Sequence, residues 1–365
     1  MKIIRTPITP ADGTGNGQLL TAAFSAGGKA IPLSDICLFD IETTGFAADV
    51  TFLYLIGCLT HEADGWVMTQ FFAEDGASEQ QILSSFLEFV RPYQAVMHFH
   101  GNGFDLPYLK KKYEKYGIPF EPSGKPGIDC YQVINPYRKL LALKNLKQRT
   151  VEEYMGIFRD DPYDGGETAK QYQAFVKATL MKQPEAEELF DLLLLHNHDD
   201  LTGLLGILPL VHFFQSAEHL PLAGLPERAA GPQELHFTAA LPYPLPLSFA
   251  IRQELDAACL SCDGKTLCLS VVPEQKTEEQ PEGTLHYYYP DYKEYYYLPK
   301  EDMAVHKSIG RFVEKAFRTK ATRENCYTRI QAGRLSADPQ AADDYFHMMT
   351  RHLLASAAST KKTAE

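Results

Sequence analysis

Hydrophobic residues cluster in short, dense runs from Ile36 onward. "ICLFDIE" and "FLYLIGCLT" read as strands, and an Asp-Gly pair turns the second into a third, "WVMTQFF", so the three predict an antiparallel meander. The period then changes. In "SEQQILSSFLEFV" the apolar Ile82, Leu83, Phe86 and Phe89 share one helical face, with Ser78 placed to cap it. "AVMHFH" returns to a buried strand, "FDLPYLKKKYEKYG" is a helix closed by Gly117, and "GIDC" makes a short fifth strand. From Tyr131 to Phe214 the pattern is mostly helical. This order predicts an α/β fold with a mixed five-stranded sheet flanked by helices, because doubly wound folds alternate strand and helix from the start.

Residues 1–35 read as an N-terminal arm, and 36–214 as the first domain. The composition shifts over 215–246 to Pro, Ala and Gly with weak periodicity, which predicts a linker. Residues 247–350 predict a second, smaller, β-rich α+β domain: "ACLSCDGKTLCLSVV" is a hairpin on an Asp-Gly turn, "LHYYYPDYKEYYYL" reads as another, and "EDMAVHKSIGRFVEKAF" as an amphipathic helix. The polar tail 351–365 predicts disorder.

The chain has 365 residues, 45% of them hydrophobic, enough for a sizeable core. "MKIIRTPITPADGTG" lacks the apolar run of a signal peptide, and "LTGLLGILPLVHFF" is too short to span a bilayer, so no membrane association is expected. Seven scattered cysteines form no disulfide framework; a cytoplasmic protein with no disulfide-linked partner is expected. The net charge of −12 argues against a generic electrostatic nucleic-acid binder, although a local basic surface or bound cations could override it.

Against that acidic background, certain acids stand in unusual places. Asp40 and Glu42, two apart at a strand end, emerge on one face, and adjacent carboxylates stay ionised together only with a cation between them. Oxygen donors select a hard ion such as Mg²⁺ or Mn²⁺. Asp105 stands where a strand passes through a Gly-rich turn into a helix, a position that also suits an N-cap. In "LLLLHNHDDL" two histidines and two acids interrupt an apolar helix. His196 and Asp200, four apart, share a face; His198 lies roughly opposite, and Asp199 competes with Asp200 for that face.

"DIETTG", "GNGFDLP" and "HNHDDL" together resemble the three motifs of DEDD-type 3′–5′ exonucleases of the ribonuclease-H-like superfamily, in particular the predicted ribonuclease-H-like exonuclease family of bacteria. The resemblance runs from about residue 36 to 212, through "LKNLKQRTVEEYMG", and stops before the second domain. It implies that Asp40, Glu42, Asp105 and Asp200 hold two divalent ions, Mg²⁺ or Mn²⁺, for hydrolysis of phosphodiester bonds in DNA or RNA. It further implies that His196 orients or deprotonates the attacking water, a task suited to imidazole. Thr43, Asn102 and Phe104 would touch the substrate, and His100 would either touch the terminal nucleotide or simply pack. Two departures stand out: the histidine sits four before the last acid, the spacing of the tyrosine subtype, and His100 replaces the asparagine of close relatives.

Beyond the resemblance, residues 307–334 carry eight basic and two acidic side chains. Lys307, Arg311, Lys315 and Arg318 recur at helical steps, with Ile309, Phe312, Val313 and Ala316 on the other side, which predicts a phosphate-binding stripe beside exposed, stacking tyrosines. "CLSC" lacks the second pair that a zinc site needs, and "GKT" at Gly264 lacks a phosphate-loop frame.

Overall fold

The computed structural model describes residues 1–9, 22–119, 124–159, 165–228, 234–274 and 282–359. The chain divides into two compact units, residues 1–138 with 142–215, and 139–141 with 216–365. Parts of the expected arm (10–21), linker (229–233) and tail (360–365) lie outside the described residues.

The first unit is built on six strands rather than five. In chain order they are β1 (Lys2–Ile8), β4 (Ile36–Thr43), β5 (Leu53–Glu62), β6 (Gly65–Phe72), β7 (Ala95–His98) and β8 (Gly127–Asp129), with a separate hairpin of β2 (Ala23–Ala26) and β3 (Lys29–Pro32). The sheet order is β1-β6-β5-β4-β7-β8. The extra strand comes from the segment read as an arm: β1 pairs antiparallel with β6 along its whole length. It is an edge strand, mostly exposed on both faces, so it lacks the alternation that betrays a half-buried strand. β4, β5 and β6 form the expected meander, while β7 and β8 join parallel.

Helices α1 (Glu79–Val90), α2 (Asp105–Tyr116), α3 (Cys130–Ile134), α4 (Gln148–Tyr154), α5 (Gly165–Leu180) and α6 (Glu185–Ser216) complete the unit. The core gathers Phe39, Tyr54, Phe72, Phe86 and Tyr113, all essentially inaccessible, and each such side chain contributes about 1.5–3 kcal/mol by leaving water. Gly117 ends α2 in the left-handed conformation, as its position predicts. A buried ion pair locks α2 in place. Lys112 Nζ lies 2.8 Å from Glu79 Oε1, and Glu79 also accepts from Leu53 N–H and the Tyr116 hydroxyl. Each buried charge is thereby fully partnered, which is what permits its burial.

The second unit contains a five-stranded antiparallel sheet, β11-β12-β13-β10-β9, from β9 (Glu227–Arg228), β10 (Leu235–Ala240), β11 (Phe249–Gln253), β12 (Ala258–Cys262) and β13 (Thr266–Val271). β10 belongs to the segment read as linker, and it pairs with β13 through six residues. The Asp-Gly hairpin between β12 and β13 is present. The tyrosine-rich stretch is not one hairpin: β14 (Thr284–Tyr288) pairs with β18 (Tyr327–Gln331), whereas β15 (Tyr295–Leu298) lies between β16 (Met303–His306) and β17 (Thr319–Lys320). Among its tyrosines, Tyr288 is buried and the rest are half-buried, so the expected exposed stacking face is absent from this stretch. After α7 (Lys307–Gly310) and α8 (Ala332–Ala337), α9 (Pro339–Ser359) closes the unit, and Tyr345 and Phe346 pack against Phe237 of the sheet. The tail is thus helical as far as Ser359: Leu353 and Leu354 are buried and tie its apolar face down.

The basic stripe is also corrected. The helix ends at Gly310, where a side-chain carbon would lie 2.9 Å from both Tyr296 and Val305; the chain then turns to deliver β17 to β15. Ile309 and Phe312, expected to pack inward, are 66% and 78% exposed. Arg318 turns back, donating to the Gly310 carbonyl and lying 4.3 Å over the Tyr296 ring.

Candidate metal centre

β4 places Asp40 opposite Gly57 and Glu42 opposite Leu55 of β5, on one face of the sheet. Gly57 has a specific purpose. A Cβ there would fall 1.9 Å from Asn197 Oδ1 and 2.6 Å from Leu201, so its absence lets α6 approach the strand. Asn197 then donates to Asp40 Oδ2 at 3.1 Å while accepting from Gln70 Nε2 at 3.1 Å. Neither Asn197 nor Gln70 was singled out by the sequence. Only their positions on facing elements reveal the contact.

On the same helix His196 Nε2 lies 3.6 Å from Glu42 Oε1 and 3.5 Å from Asp200 Oδ2. Glu42, His196 and Asp200 each offer one ligand atom, all within 4.8 Å of one another. Asp199 instead meets His198 at 3.1 Å, so in this structure it is Asp200 that faces Glu42 and His196. Asp105, the first residue of α2, is buried beside β4. Burial pushes its carboxyl up to about 7, helped by the charges of Asp129 and Asp200 and opposed by the N–H groups of Asp105 and Ile41. The Asp40 carboxyl is raised well above the ordinary range by burial and then by Asp200 and Asp105, with Asn197 and Arg159 opposing. The carboxyls of Asp40, Asp105 and Asp200 thus lie close enough for like charge to raise the first two, and Arg159 opposes the effect at Asp40.

The turn before α2 is held from outside the motif. Asp129 Oδ1 accepts from the N–H of His100 at 2.9 Å and of Tyr131 at 3.1 Å, and Oδ2 from Asn102 at 3.2 Å. His100 takes a left-handed conformation, φ +62°, with its ring 4.3 Å from Tyr131. His98 is kept neutral by burial, its pKa lowered to about 4, and accepts from Gly101 N–H. Gly101 is needed for that approach, since a Cβ would lie 2.6 Å from the imidazole. Asn102 is exposed, Phe104 half-buried, and Thr43 donates to the Gly45 carbonyl. Phe46, 88% exposed, meets Phe104 edge-on at 5.8 Å. Beside His100 a cavity of about 540 Å³ opens, lined by Tyr131, Asn135, Arg138, Lys147 and Gln148 among others.

Lys307, Arg311, Lys315 and Arg318 all belong to the second unit and form no single stripe there. No helix among the described residues is long and apolar enough to cross a membrane.

No curated protein matches the sequence. Among solved structures, the family B DNA polymerase of the archaeon Pyrobaculum calidifontis is similar at 19% identity and a TM-score of 0.40, over 51% of this chain and 26% of the polymerase. The chain thus spans about a quarter of that relative's length. The zinc-bound E. coli ExoI–ssDNA complex is similar at 10% identity and a TM-score of 0.29, over 90% of this chain and 74% of ExoI, and E. coli ExoI with a dT13 oligonucleotide at 11% and 0.28, over 90% and 75%. The family RNase_H_2 of the RNase H superfamily matches residues 37–210. Residues 37–210 thus match the RNase H superfamily in sequence, and the mixed sheet with its flanking helices is an RNase H-like fold.

Proposed function

We propose that this protein is a metal-dependent nuclease that hydrolyses phosphodiester bonds of nucleic acid, acting as a 3′–5′ exonuclease. The observation that carries the reading is the convergence of Asp40, Glu42, Asp105 and Asp200 with His196, in which burial and like charge push two carboxyls upward. The four carboxylates form an all-oxygen donor set, which fits hard divalent cations, Mg²⁺ or Mn²⁺, two of them in this reading. When bound, such ions polarise the phosphodiester and stabilise developing negative charge.

The chain's own residues do the rest. His196, within 3.6 Å of Glu42 and Asp200, orients the attacking water and takes its proton. Asn197 fixes the rotamer of Asp40. The Asp129-clamped turn presents His100, Asn102 and Phe104 to the terminal nucleotide, with Thr43 at the end of β4, and Phe46 adds an exposed ring on which a base can stack. The cavity beside His100, with Arg138 and Lys147 on its wall, receives the neighbouring phosphates.

The test uses 5′-labelled single- and double-stranded DNA and RNA with Mg²⁺, Mn²⁺ or EDTA. A metal-dependent ladder shortening from the 3′ end is expected. Internal fragments would favour an endonuclease, and tight binding without cleavage a nucleic-acid-binding module on a nuclease fold.

A further inference from the structure

Arg159 belongs to none of the three motifs, yet it touches the candidate centre. Its guanidinium is split between two carboxylates. Nε and Nη2 grip Glu152 at 2.6 and 2.7 Å, while Nη1 reaches Asp200 Oδ1 at 2.5 Å. The side chain of Glu152 is fully buried and that of Arg159 is 9% exposed. The backbone makes room for them: a Cβ on Gly203, three residues after Asp200, would lie 2.0 Å from Glu152 Oε1, and one on Gly206 2.2 Å from Ile157. Gln148 completes the group, donating from Nε2 to Glu152 Oε1 at 2.8 Å and to the Asp200 carbonyl at 2.6 Å. Of these five contacts three go to Glu152 and two to Asp200, one of the latter through its backbone carbonyl.

The two oxygens of Asp200 have different neighbours, Arg159 at Oδ1 and His196 at Oδ2. Offering both oxygens to one ion would cost the carboxylate its contact with Arg159. The charges matter as much as the shape. Glu152 neutralises Arg159, so the pair brings a strong directional donor to Asp200 without adding net positive charge that would repel a divalent cation.

We propose that Arg159, held by Glu152 and Gln148, is a positioning residue that fixes Asp200 as a one-oxygen ligand for a divalent ion. This rests on the metal-dependent reading above. Partners that orient a ligand in this way alter metal affinity by about 10–100-fold when removed. The order of effects distinguishes the proposal from simple packing. Glu152→Gln leaves the cation of Arg159 unbalanced beside Asp200, where it competes with the metal. The double variant Glu152→Gln/Arg159→Gln removes both charges and loses only the fixed geometry. Arg159→Lys keeps a charge but has one ammonium where a fork must reach two carboxylates.

The experiment measures Mn²⁺ binding to the full-length protein by calorimetry and electron paramagnetic resonance, without nucleic acid, with circular dichroism to check folding. The expected order of affinity is wild type, then the double variant, then Glu152→Gln, with Arg159→Lys not restored to wild type. A folded double variant that binds Mn²⁺ like the wild type overturns the proposal, while wild-type cleavage still upholds the nuclease reading. If the double variant does not fold, Glu152→Gln, which keeps the Gln148 bond, makes the same comparison, and unchanged affinity there also overturns it. Wild-type protein that binds no Mn²⁺ removes both.

Discussion

Two buried histidine–carboxylate groups, one in each unit, show how burial alone differs from burial that asks for a ligand. In the second unit His286 Nδ1 meets Asp256 Oδ1 at 2.7 Å, and the Tyr288 hydroxyl donates to Oδ2 at 2.8 Å. Both oxygens of that acid have a partner, and the further carboxylate of Glu274, which is partly exposed, lies on the far side of the imidazole, 3.9 Å from His286 Nε2. Asp302 is treated similarly, by the hydroxyls of Tyr297 and Tyr327 and by Arg329. The first unit does the opposite. Around His196 it sets Glu42 and Asp200, and it brings Asp40 and Asp105 close enough to repel. A satisfied buried acid stabilises the fold it sits in; a crowd of them destabilises it until a cation arrives.

The sharpest way to break this contrast is to neutralise one acid in each place. Asp40→Asn or Asp105→Asn is expected to abolish cleavage while raising the melting temperature of the metal-free protein, because repulsion falls. Asp256→Asn should do the reverse. It leaves His286 and Tyr288 poorly partnered at about 1–3 kcal/mol of stability, and spares cleavage at saturating substrate. Parallel melting curves and nuclease assays decide it; a loss of stability in Asp40→Asn would refute the crowding argument. Next in size is His196→Ala, expected to lower the cleavage rate on the order of 100-fold, as for a lost general base. His286→Ala should lower the melting temperature and leave the rate of the folded protein unchanged.

What the sequence revealed of these two places follows from how local each signal is. Asp40 and Glu42 declare themselves through two-residue spacing on one strand, and His196 and Asp200 through one helical turn. Choosing between Asp199 and Asp200 needed the partner across the sheet. Gly57, Gln70, Asn197, Asp129 and the Arg159–Glu152 pair were invisible because each joins distant segments, such as position 40 to 197 or 159 to 200. β1 was missed because a solvent-exposed edge strand has no pattern to read, and β10 because Pro and Gly on both sides outweighed a six-residue alternation. The predicted helix over 301–317 failed for the same reason in reverse. Its periodicity was real, but the approach of Gly310 to Tyr296 and the pairing of β17 overrode it.

A smaller effect sharpens the comparison through pH. Asp105 ionises at about 7 in the folded chain, against about 3.9 when unfolded. Between those values the folded state holds the extra proton, so this contribution to stability is present below about pH 4 and lost as pH rises through 7. Asp40 shifts in the same direction. In EDTA the melting temperature should therefore be lower at pH 8 than at pH 5, and added Mn²⁺ should raise it more at pH 8, where protons no longer compete for the carboxylates. A metal-free melting temperature that rises from pH 5 to pH 8 would show that the carboxylates are balanced by charges within the chain.

The smallest effect concerns the basic residues of the second unit, where the broken helix changes what each can do. Lys315 is exposed and Lys307 half-buried, whereas Arg318 is committed to the Gly310 carbonyl and the Tyr296 ring. Four phosphate contacts in register are no longer available from this segment. If the unit grips nucleic acid, changing Lys307 and Lys315 to Ala should flatten the salt dependence of binding by no more than about two ions. Arg318→Ala should act through structure, lowering stability by roughly 1 kcal/mol as a hydrogen bond and a cation–π contact are lost, with little change in the salt slope. Fluorescence anisotropy on a labelled oligonucleotide across a salt series, beside a melting curve, separates the two. A larger fall in salt slope for Arg318→Ala than for the lysine pair would mean that its guanidinium reaches a phosphate after all, and that Gly310 and Tyr296 hold it only until nucleic acid binds.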